Sequence, residues 1–101
     1  MIIYNVTLQP TWSIHEAWLK WMKQKHIPDV MATGCFTENR FVRVLEVDEE
    51  EGPTYASQYH ADTKEDYLRY ISEFAPLMRK DVTDNWGDQL SLFRSLMEVV
   101  H

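Results

Sequence analysis

The sequence predicts an α+β fold in the order strand, helix, strand, strand, helix, strand, and three observations lead there. Ile2 to Leu8 alternates at the period of a strand, two longer stretches repeat apolar residues at helical spacing, and the remaining segments are rich in β-branched and aromatic residues. Such a chain builds one four-stranded antiparallel sheet with both helices on one face.

Each element follows from its residues. Ile2, Tyr4, Val6 and Leu8 lie on one face of the first strand and Ile3, Asn5 and Thr7 on the other, and Pro10 ends it. Thr11 or Ser13 can cap the first helix, and Glu16, three residues after Ser13, completes a capping box. In that helix Ile14, Ala17, Trp18, Trp21 and Met22 share a stripe opposite Glu16, Lys20, Lys23 and Gln24, so both tryptophans are expected in the core. Pro28 is expected to bend the chain, because it lacks an amide donor and disfavours the α region at Ile27. Asp29 to Thr33 then makes a short further turn, with Gly34 as a left-handed stop. Phe36 to Val47 and Thr54 to Ala61 form a hairpin, and Asp48 to Glu51, followed by Gly52 and Pro53, reads as its solvated tip. Thr63 with Asp66 marks the second helix start, and Tyr67, Tyr70, Ile71 and Phe74 repeat at helical spacing. Pro76 interrupts, a further stretch carries Leu77, Val82 and Trp86, and Gly87 closes it. Leu90 to Val100 is the last strand.

The order βαββαβ is the ferredoxin-like split βαβ, and right-handed crossovers then place the first and third strands at the centre. Residues 1–101 are expected to form one such domain. A sheet with helices on one face and water on the other should alternate cleanly. The edge strands do not: Val42 and Val44 oppose Phe41 and Leu45, while Leu90, Leu92 and Leu96 oppose Phe93, Met97 and Val99. The second face is therefore expected to be covered, most economically by another copy in a homodimer.

Composition narrows the function classes. A net charge of −6, with basic residues scattered among acidic ones, argues against a nucleic-acid partner. No apolar run is long enough for a membrane span, the N-terminus lacks the features of a secretory signal, and the lone Cys35 fits a reducing cytoplasm.

The stretches MIIYNVT, HEAWLKWM, HIPDVMATG, YASQY, FAP and the Phe93-Arg94 pair, together spanning nearly the whole chain, resemble the bacterial domain of unknown function 4286 family. That family is in turn similar to the dimeric α/β-barrel superfamily of antibiotic-biosynthesis monooxygenases and EthD-like proteins, in which two ferredoxin-like sheets meet face to face. The resemblance implies a dimer of that type and supplies no activity, since fold and function are separable.

Chemical motifs are sparse. His15 and His26 are about 16 Å apart along a straight helix, too far to share a metal, and no zinc-type spacing occurs. Gly34, Gly52 and Gly87 are isolated, so no phosphate loop exists, and neither a nucleotide nor another cofactor is expected. Cys35 lacks a nucleophile motif. His26, just before Ile27-Pro28, either caps helix carbonyls or points into a cleft. If Tyr4, Val6, Tyr55 and Tyr59 face the helices, then Asn5, Thr7, Gln58 and His60 share the other face, where Arg94 is expected, with Arg40 if Phe41 turns toward the helices. That polar face reads either as a hydrogen-bonded network inside a dimer or as a pocket whose arginines hold a small anionic or carbonyl ligand. The candidate ligand residues are Asn5, His26, Arg40, Gln58 and Arg94. Two functions compete: a non-catalytic or small-ligand-binding dimer, and a cofactor-independent monooxygenase or isomerase of the superfamily's style. An enclosed pocket of roughly 300 Å³ or more would favour the second.

Overall fold

The computed structural model describes residues 1–101. Its elements are β1 (Ile2–Pro10), α1 (His15–Trp21), α2 (Ile27–Met31), β2 (Glu38–Arg43), β3 (Tyr55–Ala61), α3 (Lys64–Glu73), α4 (Ala75–Trp86) and β4 (Leu90–Glu98). The strands form one antiparallel sheet in the order β2-β3-β1-β4, with β1 and β3 central as the crossover rule requires. This is the ferredoxin-like arrangement expected from the sequence.

The two proline sites are resolved differently. Between α1 and α2 the chain makes a π turn, Met22–His26, and the Ile27 amide donates to the Met22 carbonyl five residues back. Ile27 stays in the right-handed α region at φ −61° and ψ −47°, where the sequence led us to expect it displaced. The wider π register admits a proline in the following turn without a break. Ahead of Pro76 the interruption falls at Phe74, with φ −122°, and Pro76 then occupies the first turn of α4, where no amide is needed. Gly34 and Gly87 take positive φ at 77° and 55°, as their stop positions demand.

The caps also differ. Thr63 accepts the Asp66 amide and caps α3. Ser13 does not cap α1; its hydroxyl donates to Gln89 Oε1 at 3.0 Å, and Ile14 precedes the helix without a side-chain cap. A tertiary partner next to β4 takes the hydroxyl that the local pattern assigned to a cap.

Two core clusters lie beneath the helices. Trp18, fully buried, packs with Leu8, Met22, Tyr55 and Leu90 under α1. Tyr4, Phe36, Tyr59, Tyr70 and Val30 form the second, an aromatic cluster with ring centroids 5.0–6.2 Å apart between Tyr4, Phe36, Tyr59 and Tyr70. Trp21 is half-buried rather than central, Ala17 is exposed, and Leu77 is 71% exposed, so neither helical stripe is followed to its edge.

The acidic segment is more firmly held than a free tip. Gly52 and Pro53 are buried, the Trp12 amide and indole donate to Glu51 and Glu49 carbonyls, and Gln9 donates to the Gly52 carbonyl. A Cβ on Gly52 would lie 1.7 Å from the Pro10 carbonyl oxygen, which explains the glycine by close approach of two backbones.

Candidate functional site

Strand register divides the expected site residues between the two faces of the sheet. Arg40 is opposite Gln58, Gln58 opposite Asn5, and Asn5 opposite Ser95, so these four form one row across the face away from the helices. Asn5 is buried within that row and its amide donates to Thr7 Oγ1 at 3.1 Å. Arg40 is mostly exposed beside Glu38.

Arg94 is not in this row. It pairs with Val6, which places it on the helix-covered face, where its Nε donates to Tyr4 Oη at 3.1 Å. The expectation that Arg94 joins Asn5 and Gln58 is thus corrected by one residue of parity. Leu90 and Leu92 face the helices and carry Arg94 with them, because side chains two apart share a face.

On the covered face a second arginine joins. Arg79, on α4, donates from Nη2 to the same Tyr4 Oη at 3.4 Å. Both arginines are exposed, and neither has a carboxylate within 4.0 Å, whereas Arg40, Arg43 and Arg69 each do. They stand at the outer end of a cavity of about 30 Å³ between sheet and helices, whose walls include Tyr4, Met22, His26, Tyr70, Met78 and Leu92. The volume is close to one water's share of the liquid.

His26 reaches this cavity from the end of the π turn. Its ring stacks on Trp21 at 4.9 Å with planes 16° apart, its Nδ1 is buried without a hydrogen-bond partner, and it does not cap a carbonyl. Burial pushes its pKa down to about 4, with Asp81 and Asp29 opposing, so the imidazole is neutral at pH 7. Burial likewise raises the Tyr59 phenol to about 12 and raises Tyr70 against the nearby charges of Arg79 and Arg94. These phenols are hydrogen-bonding groups at pH 7, not anions.

The cleft therefore unites His26 and Arg94 from the sequence expectation and leaves Asn5, Arg40 and Gln58 behind the sheet. Arg79 and the Tyr4 phenol were not foreseen. A signal for Arg79 exists: with Val82 and Trp86 it falls at i, i+3, i+7, the helical face that packs on the sheet. No group of three or more His, Cys, Asp or Glu side chains is arranged to hold a metal ion, and no helix is long and apolar enough to cross a membrane.

Solved structures share this fold at low identity. A dimeric ferredoxin-like protein from an uncultured marine organism matches with a TM-score of 0.70 and 15% identity, covering 100% of this chain and 96% of that one. An EthD family protein from Bacillus halodurans matches at 0.68 and 15% identity, covering 98% and 100%. A protein from Nitrosomonas europaea, provisionally named an antibiotic biosynthesis monooxygenase, matches at 0.69 and 10% identity over 100% of both chains. At these identities the likeness is one of fold. No curated protein sequence matches. A family model does, over residues 1–100, and the chain belongs to the family Domain of unknown function (DUF4286).

Proposed function

We propose that this chain is a homodimeric small-molecule-binding domain, taking a small anionic or carbonyl-bearing ligand at the cavity mouth beside Tyr4, Arg79 and Arg94. One observation carries the ligand reading. In a chain of net charge −6, two guanidinium groups without carboxylate partners converge on one phenol. Unpaired converging cations beside an apolar cavity are what an anion or a polarised carbonyl requires.

The dimer reading rests on the other face. Phe93 is 60% exposed and Met97 and Val42 each 37%, around the row of Asn5, Gln58 and Arg40. A second copy would cover these apolar groups and bring its own polar row to face this one. Two structural relatives are themselves described as dimeric.

A catalytic reading, as a cofactor-independent monooxygenase or isomerase, is favoured by His26, whose neutral ring and unpartnered Nδ1 suit a general base. Size weighs against it. A reaction shielded from water needs the whole substrate enclosed, in roughly 300–1,000 Å³, whereas this cavity of about 30 Å³ takes only the end of a ligand bound at its mouth.

The test is mass spectrometry of small molecules released from the native protein, beside an Arg79→Gln/Arg94→Gln double variant. A bound acid or carbonyl compound lost from the variant is expected; identical ligand content in both would overturn the reading. Light scattering at micromolar concentration should give twice the 12.0 kDa chain mass, and a mass of one chain throughout would remove the dimer.

A further inference from the structure

We infer that the ligand is a short-chain monocarboxylate, its carboxylate held by Arg79, Arg94 and Tyr4 and its apolar end in the cavity. This rests on the binding reading above and adds the chemical class. The first observation is a surplus of donors. Tyr4 Oη accepts from Arg94 Nε at 3.1 Å and from Arg79 Nη2 at 3.4 Å, and its own hydroxyl proton has no acceptor in the molecule. Two guanidinium forks and a phenolic O–H at one point form a site that lacks only an acceptor. A planar carboxylate offers two oxygens with lone pairs for all three donors, and the arginine forks match it geometrically.

The second observation concerns what lies behind the donors. Met22, Val30, Met78, Val82 and Leu92 make much of the wall, and the polar groups among them, His26, Ser57, Tyr59 and Tyr70, are neutral, so the wall offers no counter-charge to a second anionic end. A phosphate would turn an anionic oxygen, and a dicarboxylate its second carboxylate, toward a wall that holds no counter-charge. An alkyl end loses nothing.

The third is size. About 30 Å³ admits a group of one or two carbons. Met78, half-buried, lines the cavity from α4 beside Val82, and as the longer and more flexible of these two apolar side chains it is the one expected to limit chain length.

Titration of the native protein, with its methionine methyls labelled with carbon-13, by propionate, hexanoate, propionamide and inorganic phosphate tests this by NMR. Propionate should shift the Met22 and Met78 methyls saturably and leave Met97, on the opposite face, unmoved. Hexanoate should bind at least tenfold more weakly. Arg79→Gln and Arg94→Gln, both at exposed positions, should each weaken propionate about 10- to 100-fold, as loss of a charge-assisted bond does. Met78→Ala should move the preference toward hexanoate. Propionamide binding as well as propionate would overturn the carboxylate class and leave the carbonyl-binding reading standing. Phosphate shifting the same methyls with equal affinity would overturn it and leave an anion site. If none of the four moves Met22 or Met78, both readings fall together.

Discussion

On the face under the helices, Leu8, Tyr4 and Tyr59 are 3%, 4% and 2% exposed, and each touches a neighbour from another element. On the other face, Phe93 of β4 and Val42 of β2 stand open beside the row of Arg40, Gln58, Asn5 and Ser95. The covered face is chemically complete except at one edge, where Arg79 and Arg94 meet Tyr4 without a counter-charge. The open face is closed only at its centre, around Asn5 and Ala56, and leaves the apolar side chains of both edge strands uncovered. The difference teaches where to look for each partner: a small molecule can finish the first face, whereas only a large, flat surface can finish the second.

The sharpest way to break this contrast is on the covered side. Trp18 is fully buried among Leu8, Met22 and Tyr55. Trp18→Ala should therefore cost about 3–5 kcal/mol, a large part of the ~5–15 kcal/mol that holds such a domain together. A denaturant midpoint within error of the parent would show that the helices do not press on the sheet as described.

A second test uses the buried imidazole. His26 titrates near 4 in the fold against an ordinary 6.5, so between these values the unfolded chain binds more protons. Its stabilising contribution is complete above pH 6.5 and is lost as pH falls toward 4, by about 3 kcal/mol in all. His26→Phe keeps a flat ring on Trp21 and removes the titration. The variant's melting temperature should fall less steeply than the parent's from pH 7 to 4.5; parallel curves would place His26 in water.

On the open face the expected folding effect is smallest. Phe93→Asp at this exposed position should change monomer stability by no more than about 0.5 kcal/mol. It should nevertheless split the proposed dimer, because a charge would be buried against the second copy without a partner. Light scattering and thermal melts on the same samples separate these effects. A Phe93→Asp protein that remains dimeric would move the interface elsewhere.

How much of this was legible in the residues depends on how far apart the deciding partners lie in the chain. Alternation in Ile2 to Leu8, the helical repeat from Tyr67 to Phe74 and the Thr63 cap are local, and with the handedness of crossovers they suffice for the βαββαβ order and the central position of β1 and β3. Residues such as Asn5 and Gln58 could be placed on one face for the same reason: β1 and β3 each have one polar and one apolar side, and a strand with a marked face has a fixed register. β4 has no such side. Leu92 and Phe93 are both apolar, so its pattern left the orientation open, and packing of Leu90 and Leu92 against α1 and α4 decided it. Arg94 changed faces as a result, taking the candidate site from behind the sheet to the cleft under the helices. Ser13 and Ile27 show the same principle on a smaller scale: Gln89 lies 76 residues beyond Ser13, and the π turn before Pro28 presents His26 to the core. Periodicity and capping are energies between near neighbours, so the sequence alone determined the elements and their order. Burial and donor convergence are energies between distant ones, so only the tertiary structure decided which side chains meet.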